Sequence, residues 1–388
     1  MKKINILIIE DKNEEIKSWE TSIKQFNALA AKEGHKYIFY AEYAKSFSEA
    51  EGKLETFSFS AAVVDIRLEE EDDASNHENI DGLRVIKSIM NRKKAIVAIY
   101  TGQEKDAESD IDIRHKKFIK VFGRDSKTKN QLLTWFVVEQ LQILESILHV
   151  KEQFNNTMSN LFYDSIWPRW EQWVGKKELN IDEMNASLIR HMATHLHASY
   201  LNKVTNVHPE EYYFVPPLKQ SWDTGDITVF EDKHYILVTP RCEIANKKNN
   251  TFQFVELKSI ADVLDKIDQK ITGKNNELLK LNDDQEKAEE INRAIAKEES
   301  KKRNMFSHGG NKSSLHFLPK IKKDINNSYG PFHAQFDHMI FIKKDDQEKL
   351  TNFSDNKYAS LSNEFIPSLV QRLGSYFNRI GSPDYSHY

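Results

Sequence analysis

Ser60-Ala-Ala-Val-Val-Asp-Ile-Arg67 is a short apolar run that ends in a single carboxylate, Asp65. The apolar residues before Asp65 predict a strand that is buried on both faces, as in a parallel sheet. A carboxylate directly after such a strand lies at the carboxyl edge of the sheet, where open α/β folds bind ligands. Asp65 is therefore the first candidate for a functional residue.

Strand patterns and helical patterns alternate around this run through the first 150 residues. We predict strands over residues 4–9, 37–43, 61–66, 95–100 and 118–122. We predict helices over residues 13–31, 46–56, 80–90 and 129–148. This alternation predicts a (βα)5 doubly wound, flavodoxin-like domain, with a five-stranded parallel sheet between two layers of helices.

Polar residues follow or close four of the predicted strands. They are Glu10 and Asp11 at the first strand, Asp65 at the third, Thr101 at the fourth and Lys120 at the fifth. Mg²⁺ prefers oxygen ligands and keeps several waters, so two or three carboxylates suffice to hold it. A carboxylate can also accept a phosphoryl group, and a hydroxyl and an ammonium can each bind its oxygens. Taken singly, Glu10 and Asp11 could simply cap the first helix.

The set as a whole resembles the receiver domain of response regulators in two-component signalling, over roughly residues 3–150. The matching segments are Leu7-Ile-Ile-Glu-Asp11, Val63-Val-Asp65, Asp81-Gly-Leu83, Ile99-Tyr-Thr-Gly102 and Phe118-Ile-Lys120. The resemblance implies that Asp65 is phosphorylated by a histidine kinase or a phosphotransfer protein. It also implies that Glu10, Asp11 and Asp65 hold Mg²⁺, and that Thr101 and Lys120 contact the phosphoryl oxygens.

Three features depart from the pattern of that family. Val121 follows Lys120 where receivers normally have proline, and Lys117 stands where they usually have an aromatic residue. The acidic segment over residues 69–79 is inserted between the acceptor strand and the Asp81-Gly82 turn. We expect this segment to form a loop beside the site, where its charge would repel a phosphodonor or recruit cations.

The chain is long enough for more than one domain. We predict a receiver domain over residues 1–127, a closing or linker helix over 128–158, and an α+β output domain over 159–388. Strand patterns over residues 224–230 and 234–242 predict a small β-barrel or curled sheet in the output domain. The charged segment over residues 259–302 predicts a helical hairpin broken near Gly273.

Several residues of the output part are weaker candidates for a site. His191 and His195 are one helical turn apart and could share a metal, but no third ligand is evident. Cys242 is expected to fill a core position, although His208 or His234 could supply a catalytic partner. The remaining candidates are Arg372 and Arg379, which lie two helical turns apart. They could hold a phosphate or a carboxylate, or they could simply face solvent.

The composition excludes several classes of protein. One cysteine rules out an intramolecular disulfide and a multi-cysteine zinc site, and the net charge of −4 argues against a general nucleic-acid binder. No apolar stretch approaches the length of a membrane span, so we expect a cytoplasmic protein without a membrane partner.

These features together predict an atypical response regulator. Its Mg²⁺-dependent phosphorylation would control an output domain that does not bind DNA and acts on a protein partner or on self-association as a homodimer. Two alternatives remain open. One is a phospho-switched hydrolase or nuclease-type effector, and the other is a phosphate sink in a phosphorelay, such as a bacterial stress or phage-defence system.

Overall fold

The computed structural model describes residues 1–68, 81–102, 107, 111–112, 115–174, 180–201, 207–247, 250–281, 285–306, 313–324 and 326–378. Contacts between residues divide the chain into two units, Met1–Val204 and Thr205–Tyr388.

Five parallel strands form the sheet of the first unit. They are β1 (Lys2–Ile9), β2 (Tyr37–Ala44), β3 (Ala61–Val64), β4 (Ile96–Thr101) and β5 (Ile119–Gly123). Their order is β2-β1-β3-β4-β5, which is the flavodoxin-like doubly wound order. The predicted (βα)5 fold is confirmed.

Helices cover both faces of this sheet. They are α1 (Asn13–Glu33), α2 (Phe47–Thr56), α3 (Asp81–Arg92), α4 (Lys129–Val137) and α5 (Leu141–Leu161). Side chains of β1 alternate between two cores, because successive residues of a strand point to opposite faces. Ile8 packs in the core that contains Trp19 and Phe136, whereas Ile9 packs in the core that contains Val85.

The single helix predicted over residues 129–148 is two helices, with a break between Val137 and Leu141. The break lets α5 cross the amino edge of the sheet, opposite the predicted site. The Glu145 carboxylate accepts hydrogen bonds from Lys36 Nζ at 2.6 Å and Tyr37 Oη at 2.9 Å, where β2 begins. Lys151 Nζ donates to Ser60 Oγ at 3.0 Å and to the carbonyl of Phe59, where β3 begins.

After α5 the chain forms a helical hairpin that belongs to the first unit. A π-helical turn (Phe162–Ile166) and a 3-10 turn (Trp167–Arg169) lead into α6 (Trp170–Val174), and α7 (Ile181–Leu201) follows. The rings of Phe154 and Tyr200 stack at 5.9 Å, and those of Trp173 and His191 lie 5.2 Å apart. These pairs make α7 antiparallel to α5. The compact units thus divide after Val204, whereas the sequence placed the start of the output domain at residue 159.

An antiparallel sheet of seven strands forms the second unit, in the order β10-β13-β9-β8-β7-β14-β6. Its strands are β6 (Tyr213–Phe214), β7 (Asp226–Phe230), β8 (Lys233–Leu237), β9 (Thr251–Ser259), β10 (Leu315–Leu318), β13 (Phe332–Lys343) and β14 (Lys357–Leu361). A separate two-stranded ribbon consists of β11 (Ile321–Lys322) and β12 (Ser328–Tyr329). The predicted α+β class with a curled sheet is confirmed.

The helices of the second unit are α8 (Arg241–Ala245), α9 (Ala261–Leu279), α10 (Gln285–Phe306), α11 (Gln347–Asp355) and α12 (Ile366–Phe377). The predicted charged hairpin corresponds to α9 and α10, which an ion pair of 2.5 Å between Lys302 and Asp268 joins. The predicted break near Gly273 is wrong, because Gly273 lies inside α9 and the chain leaves that helix only after Leu279. None of the described helices is both long and apolar enough to cross a membrane.

A buried lysine organises one end of this second sheet. Lys357 Nζ donates to the carbonyls of Lys219, Gln220 and Ser221 at 2.8 to 3.2 Å. It also pairs with Asp226 Oδ2 at 3.1 Å, and both side chains are almost completely buried. Four acceptors therefore compensate the cost of removing this ammonium from water.

Candidate functional site

Three carboxylates meet at the carboxyl edge of the first sheet. Glu10 and Asp11 follow β1, Asp65 follows β3, and one ligand oxygen from each lies within 4.8 Å of the other two. The strands end side by side, because Ile9 pairs with Val64 and the Asp65 N–H donates to the Ile9 carbonyl at 3.0 Å. The structure thus brings together the three acids that the sequence pattern singled out.

The surroundings of these acids disfavour their charged forms. Glu10 is only 2% exposed and Asp65 is 9% exposed. Burial raises the pKa of Glu10 to about 7 and raises the pKa of Asp65, while the nearby Arg124 opposes both shifts. Asp11 Oδ1 is buried and has no hydrogen-bond partner among the described residues. A cluster of this kind needs positive charge to be stable when ionised.

Arg124 supplies that charge. Its Nη2 lies 2.6 Å from Glu10 Oε2 and 2.7 Å from Asp65 Oδ2, so the guanidinium bridges two of the three acids. Arg124 is the first residue after β5, and its N–H donates to the carbonyl of Thr101 at 3.0 Å. Thr101 is buried at the end of β4 and therefore lies beside the residue that carries the bridging cation.

Lys120 does not join the cluster, which corrects the expectation that it lies with the acids. It pairs with Ala98 inside β5, roughly 13 Å along the strand from Arg124 at about 3.3 Å per residue. Its side chain is 49% exposed, and its Nζ lies 3.7 Å from Glu139 Oε2. The strand runs to Gly123, so the basic residue at its end is Arg124. The sequence signal that could have found it is the run Val121-Phe-Gly123, after which Arg124 is the first basic residue.

Gly82 lets helix α3 begin against Asp65 and Ile66, the residues that follow β3. A Cβ at this position would lie 2.2 Å from the carbonyl oxygen of Asp65 and 2.6 Å from Cα of Ile66. The Gly82 N–H donates to the Ile66 carbonyl at 3.0 Å. Any larger residue would push the loop that carries Asp65, which gives a physical reason for glycine in the Asp81-Gly82 turn.

The other candidates lie away from this cluster in the sequence and differ in their surroundings. His191 and His195 are neighbours on α7, with ring centroids 4.3 Å apart, but the described residues contain no third metal-ligating side chain beside them. Cys242 is exposed on α8, which corrects the expected core position, because the strand ends at Leu237 and Pro240 precedes a helix. Arg372 Nη2 donates to the Leu315 carbonyl at 2.8 Å. The acidic insertion over residues 69–79 and Arg379 lie outside the described residues.

The cluster suits a small divalent cation. Mg²⁺ takes carboxylate oxygens in an octahedral shell and keeps part of its water. The three acids offer oxygens on one side, and the unpaired buried Oδ1 of Asp11 is an acceptor that a metal or its water could satisfy. Such a metal would take over the charge neutralisation that Arg124 provides.

No protein-family model and no curated protein matches the chain. Solved structures are similar to its N-terminal part. They include a sensor protein from Polaromonas sp. JS666, with 12% identity, 37% of this chain and 98% of that chain covered, and a TM-score of 0.28. The signal receiver domain of a putative Luxo repressor protein from Vibrio parahaemolyticus has 14% identity, 38% and 98% coverage, and a TM-score of 0.27.

A third structure is the response regulator protein TrrA from Thermotoga maritima in complex with Mg²⁺-BeF. It has 18% identity, covers 36% of this chain and 98% of its own, and has a TM-score of 0.24. The resemblance predicted from the sequence is confirmed at the level of the fold, because the first sheet has the flavodoxin-like strand order, which CheY also has.

Proposed function

We propose that this chain is an atypical response regulator in which Asp65 accepts a phosphoryl group in the presence of Mg²⁺. One observation carries the proposal: Glu10, Asp11 and Asp65 converge with Arg124 at the carboxyl edge of a receiver-type sheet. The donor in this proposal is a histidine kinase or a phosphotransfer protein, as the resemblance of the sequence implies.

In the proposed step, an oxygen of Asp65 forms a bond to phosphorus while the bond from phosphorus to the donor's imidazole nitrogen breaks. The products are an acyl phosphate on Asp65 and an unphosphorylated donor histidine. Glu10, Asp11 and Asp65 would hold Mg²⁺, which neutralises charge between the carboxylates and the phosphoryl oxygens when it is bound.

In this proposal, Arg124 takes the role that the resemblance to receiver domains implied for Lys120. Its guanidinium already lies 2.7 Å from Asp65 Oδ2, so the oxygens of a phosphoryl group on Asp65 would be within its reach. A guanidinium suits this task because it can bind two phosphate oxygens at once. The Thr101 hydroxyl is the second proposed contact, and the hydrogen bond from Arg124 N–H to the Thr101 carbonyl would couple the two residues.

The output in this proposal is a protein interaction that phosphorylation controls. Among the described residues, the second unit presents no cluster of three or more metal-ligating side chains. The charged hairpin of α9 and α10 is a candidate binding arm, since α10 has only one buried residue, Ile291.

The test is incubation of the full chain with acetyl phosphate and Mg²⁺, followed by intact-mass measurement. We expect a gain of one phosphoryl group in the wild type, none in Asp65→Asn, and a strongly reduced gain in Arg124→Gln. Asp125→Asn, which removes an exposed carboxylate next to Arg124, and Lys120→Gln should behave like the wild type. An unmodified wild type, or an equal gain in Asp65→Asn, would overturn the proposal.

A further inference from the structure

The helical hairpin of the first unit exposes several large apolar side chains. We take the hairpin to run from Phe154, near the end of α5, to Leu201. We define the hairpin face as its large apolar side chains that are between 39% and 70% exposed: Phe154, Tyr163, Trp167, Ile181, Ile189 and Leu201. None of the 21 residues of α7 is buried among those that the structure describes. A soluble helix normally buries one apolar stripe against a second layer.

The two arms of the hairpin contact each other along one side only. Phe154 stacks on Tyr200, whose Oη lies 3.1 Å from Thr157 Oγ1, and Trp173 packs near His191. These contacts align the arms, but they leave side chains such as Met192 and Leu196 half-buried. Over its described residues, the hairpin therefore forms a single layer of helices in which only Ile166 is buried.

The composition of α7 indicates what kind of partner would cover it. Its charged side chains are Asp182, Glu183 and Arg190, and the rest of the helix is apolar, small or polar and uncharged, apart from its histidines. Interfaces between copies of one chain are apolar and depleted in charge, with aromatic residues and methionine enriched. A strongly charged partner would find only these three charges on the helix.

The dimensions of the hairpin fit a dimer interface. A 21-residue helix is roughly 32 Å long at 1.5 Å per residue, and packed helices lie about 8–10 Å apart. Two helices side by side thus present roughly 600 Å² of flat area. That value approaches the ~800 Å² of accessible surface that each partner buries in a standard interface.

We infer that the hairpin face is the interface with a second copy of this chain. Two hairpins pack across a twofold axis as a four-helix bundle, in which the same surface of each copy serves both partners. Trp167 and Ile189 are the expected anchors, because each is a large apolar side chain in the middle of its arm, and they are 57% and 67% exposed. The inference depends only on the hairpin and does not require phosphorylation of Asp65.

The experiment is sedimentation velocity on the full chain in metal-free buffer, from about 0.1 to 50 µM, a range that corresponds to roughly 6 to 10 kcal/mol of association free energy. We expect the wild type to be a dimer at the upper concentrations. Ile189→Lys and Trp167→Glu should each raise the dimer Kd by about 100-fold, since each places a charge in the apolar interface. Leu218→Lys is the matched control, because Leu218 is 70% exposed in the second unit and Ile189 is 67% exposed.

Circular dichroism of each variant checks that the helices remain formed. A wild type that stays monomeric at the highest concentration would overturn the inference. A dimer that both hairpin variants leave intact would also overturn it, because the interface would then lie elsewhere. A dimer that Leu218→Lys weakens as much as Ile189→Lys would overturn it in the same way.

Discussion

Removing the guanidinium of Arg124 should destabilise the first unit more than the loss of any exposed ion pair. The change Arg124→Met keeps an apolar stem of similar length and deletes the charge that bridges Glu10 and Asp65. Removing one partner of a buried pair costs about 3–5 kcal/mol. The Arg124 side chain is 24% exposed, which lowers this cost, and Glu10 can relieve the repulsion by taking up a proton. We therefore expect a loss of about 2–3 kcal/mol in the free energy of unfolding near pH 7.5.

Mg²⁺ should reduce the difference in the free energy of unfolding between Arg124→Met and the wild type. A ligand that binds only the folded state at about 100 times its Kd adds about 2.7 kcal/mol of stability. In the wild type, part of this gain is offset, because the guanidinium must release carboxylate oxygens that the metal takes. In Arg124→Met nothing competes for those oxygens, so we expect Mg²⁺ to narrow the difference by at least about 1 kcal/mol.

Hydrogen exchange of the amides in β1 and β3 is the appropriate assay, because it reports the opening of the first unit even when the second unit unfolds separately. Arg84→Met is the matched control. The Arg84 side chain is 54% exposed and lies 2.8 Å from Asp81, and its loss should cost less than about 1 kcal/mol. Free energies of unfolding of Arg124→Met and the wild type that agree within about 0.5 kcal/mol, or a difference that Mg²⁺ widens, would show that Arg124 does not stabilise the acids in this way.

Three further predictions concern stability. Burial lowers the pKa of Lys151 from 10.5 to about 8. Between these pH values the unfolded chain binds more protons than the folded chain, so the free energy of unfolding should increase as pH rises through this window. We place this increase at about 1–2 kcal/mol after allowing for the partial exposure of Lys151. Lys151→Met should remove it, as measured by hydrogen exchange at pH 8 and pH 10. Gly82→Ala should cost about 1–3 kcal/mol in the same assay and slow phosphorylation of Asp65, because its Cβ meets the Asp65 carbonyl oxygen. Lys357→Met should lower the melting temperature of the second unit through a loss of about 3–5 kcal/mol, because it leaves Asp226 buried without its cation; an unchanged melting curve would contradict this assignment.

The first sheet could be predicted because its strands are short apolar runs whose burial the sequence records directly. The three acids could be predicted with it, because the end of a buried strand fixes where the next polar residue lies. Asp65 is the best example, since Ala61–Val64 are all buried and the chain leaves the sheet at the carboxylate.

The basic residue of the site, Arg124, could not be predicted by the same reasoning. The apolar pattern of β5 continues through Val121 and Phe122 to Gly123, so the first lysine in the segment lies inside the strand. A shift of four residues along a strand moves a side chain by roughly 13 Å, which separates a residue of the site from a residue of the surface. Whether Lys120 or Arg124 joins the site depends on the exact end of the strand, and a pattern of hydrophobicity locates that end poorly.

The break between α4 and α5 was also beyond the sequence pattern. Apolar residues recur at helical spacing from Leu132 to Leu148, and neither glycine nor proline interrupts them. Tertiary contacts decide the break, because α5 turns to place Glu145 and Lys151 against the amino edge of the sheet. Those contacts join residues about one hundred positions apart, and no local pattern records them.

The central claim is that the chemistry takes place on Asp65, and localising the phosphoryl group tests it most directly. The full chain is treated with acetyl phosphate and Mg²⁺, and borohydride then reduces any acyl phosphate to the alcohol, which marks the modified aspartate in peptide mass spectra. We predict a single reduced aspartate, at position 65, that disappears when Mg²⁺ is chelated. An acyl phosphate at another carboxylate, or none in the presence of Mg²⁺, would contradict the account.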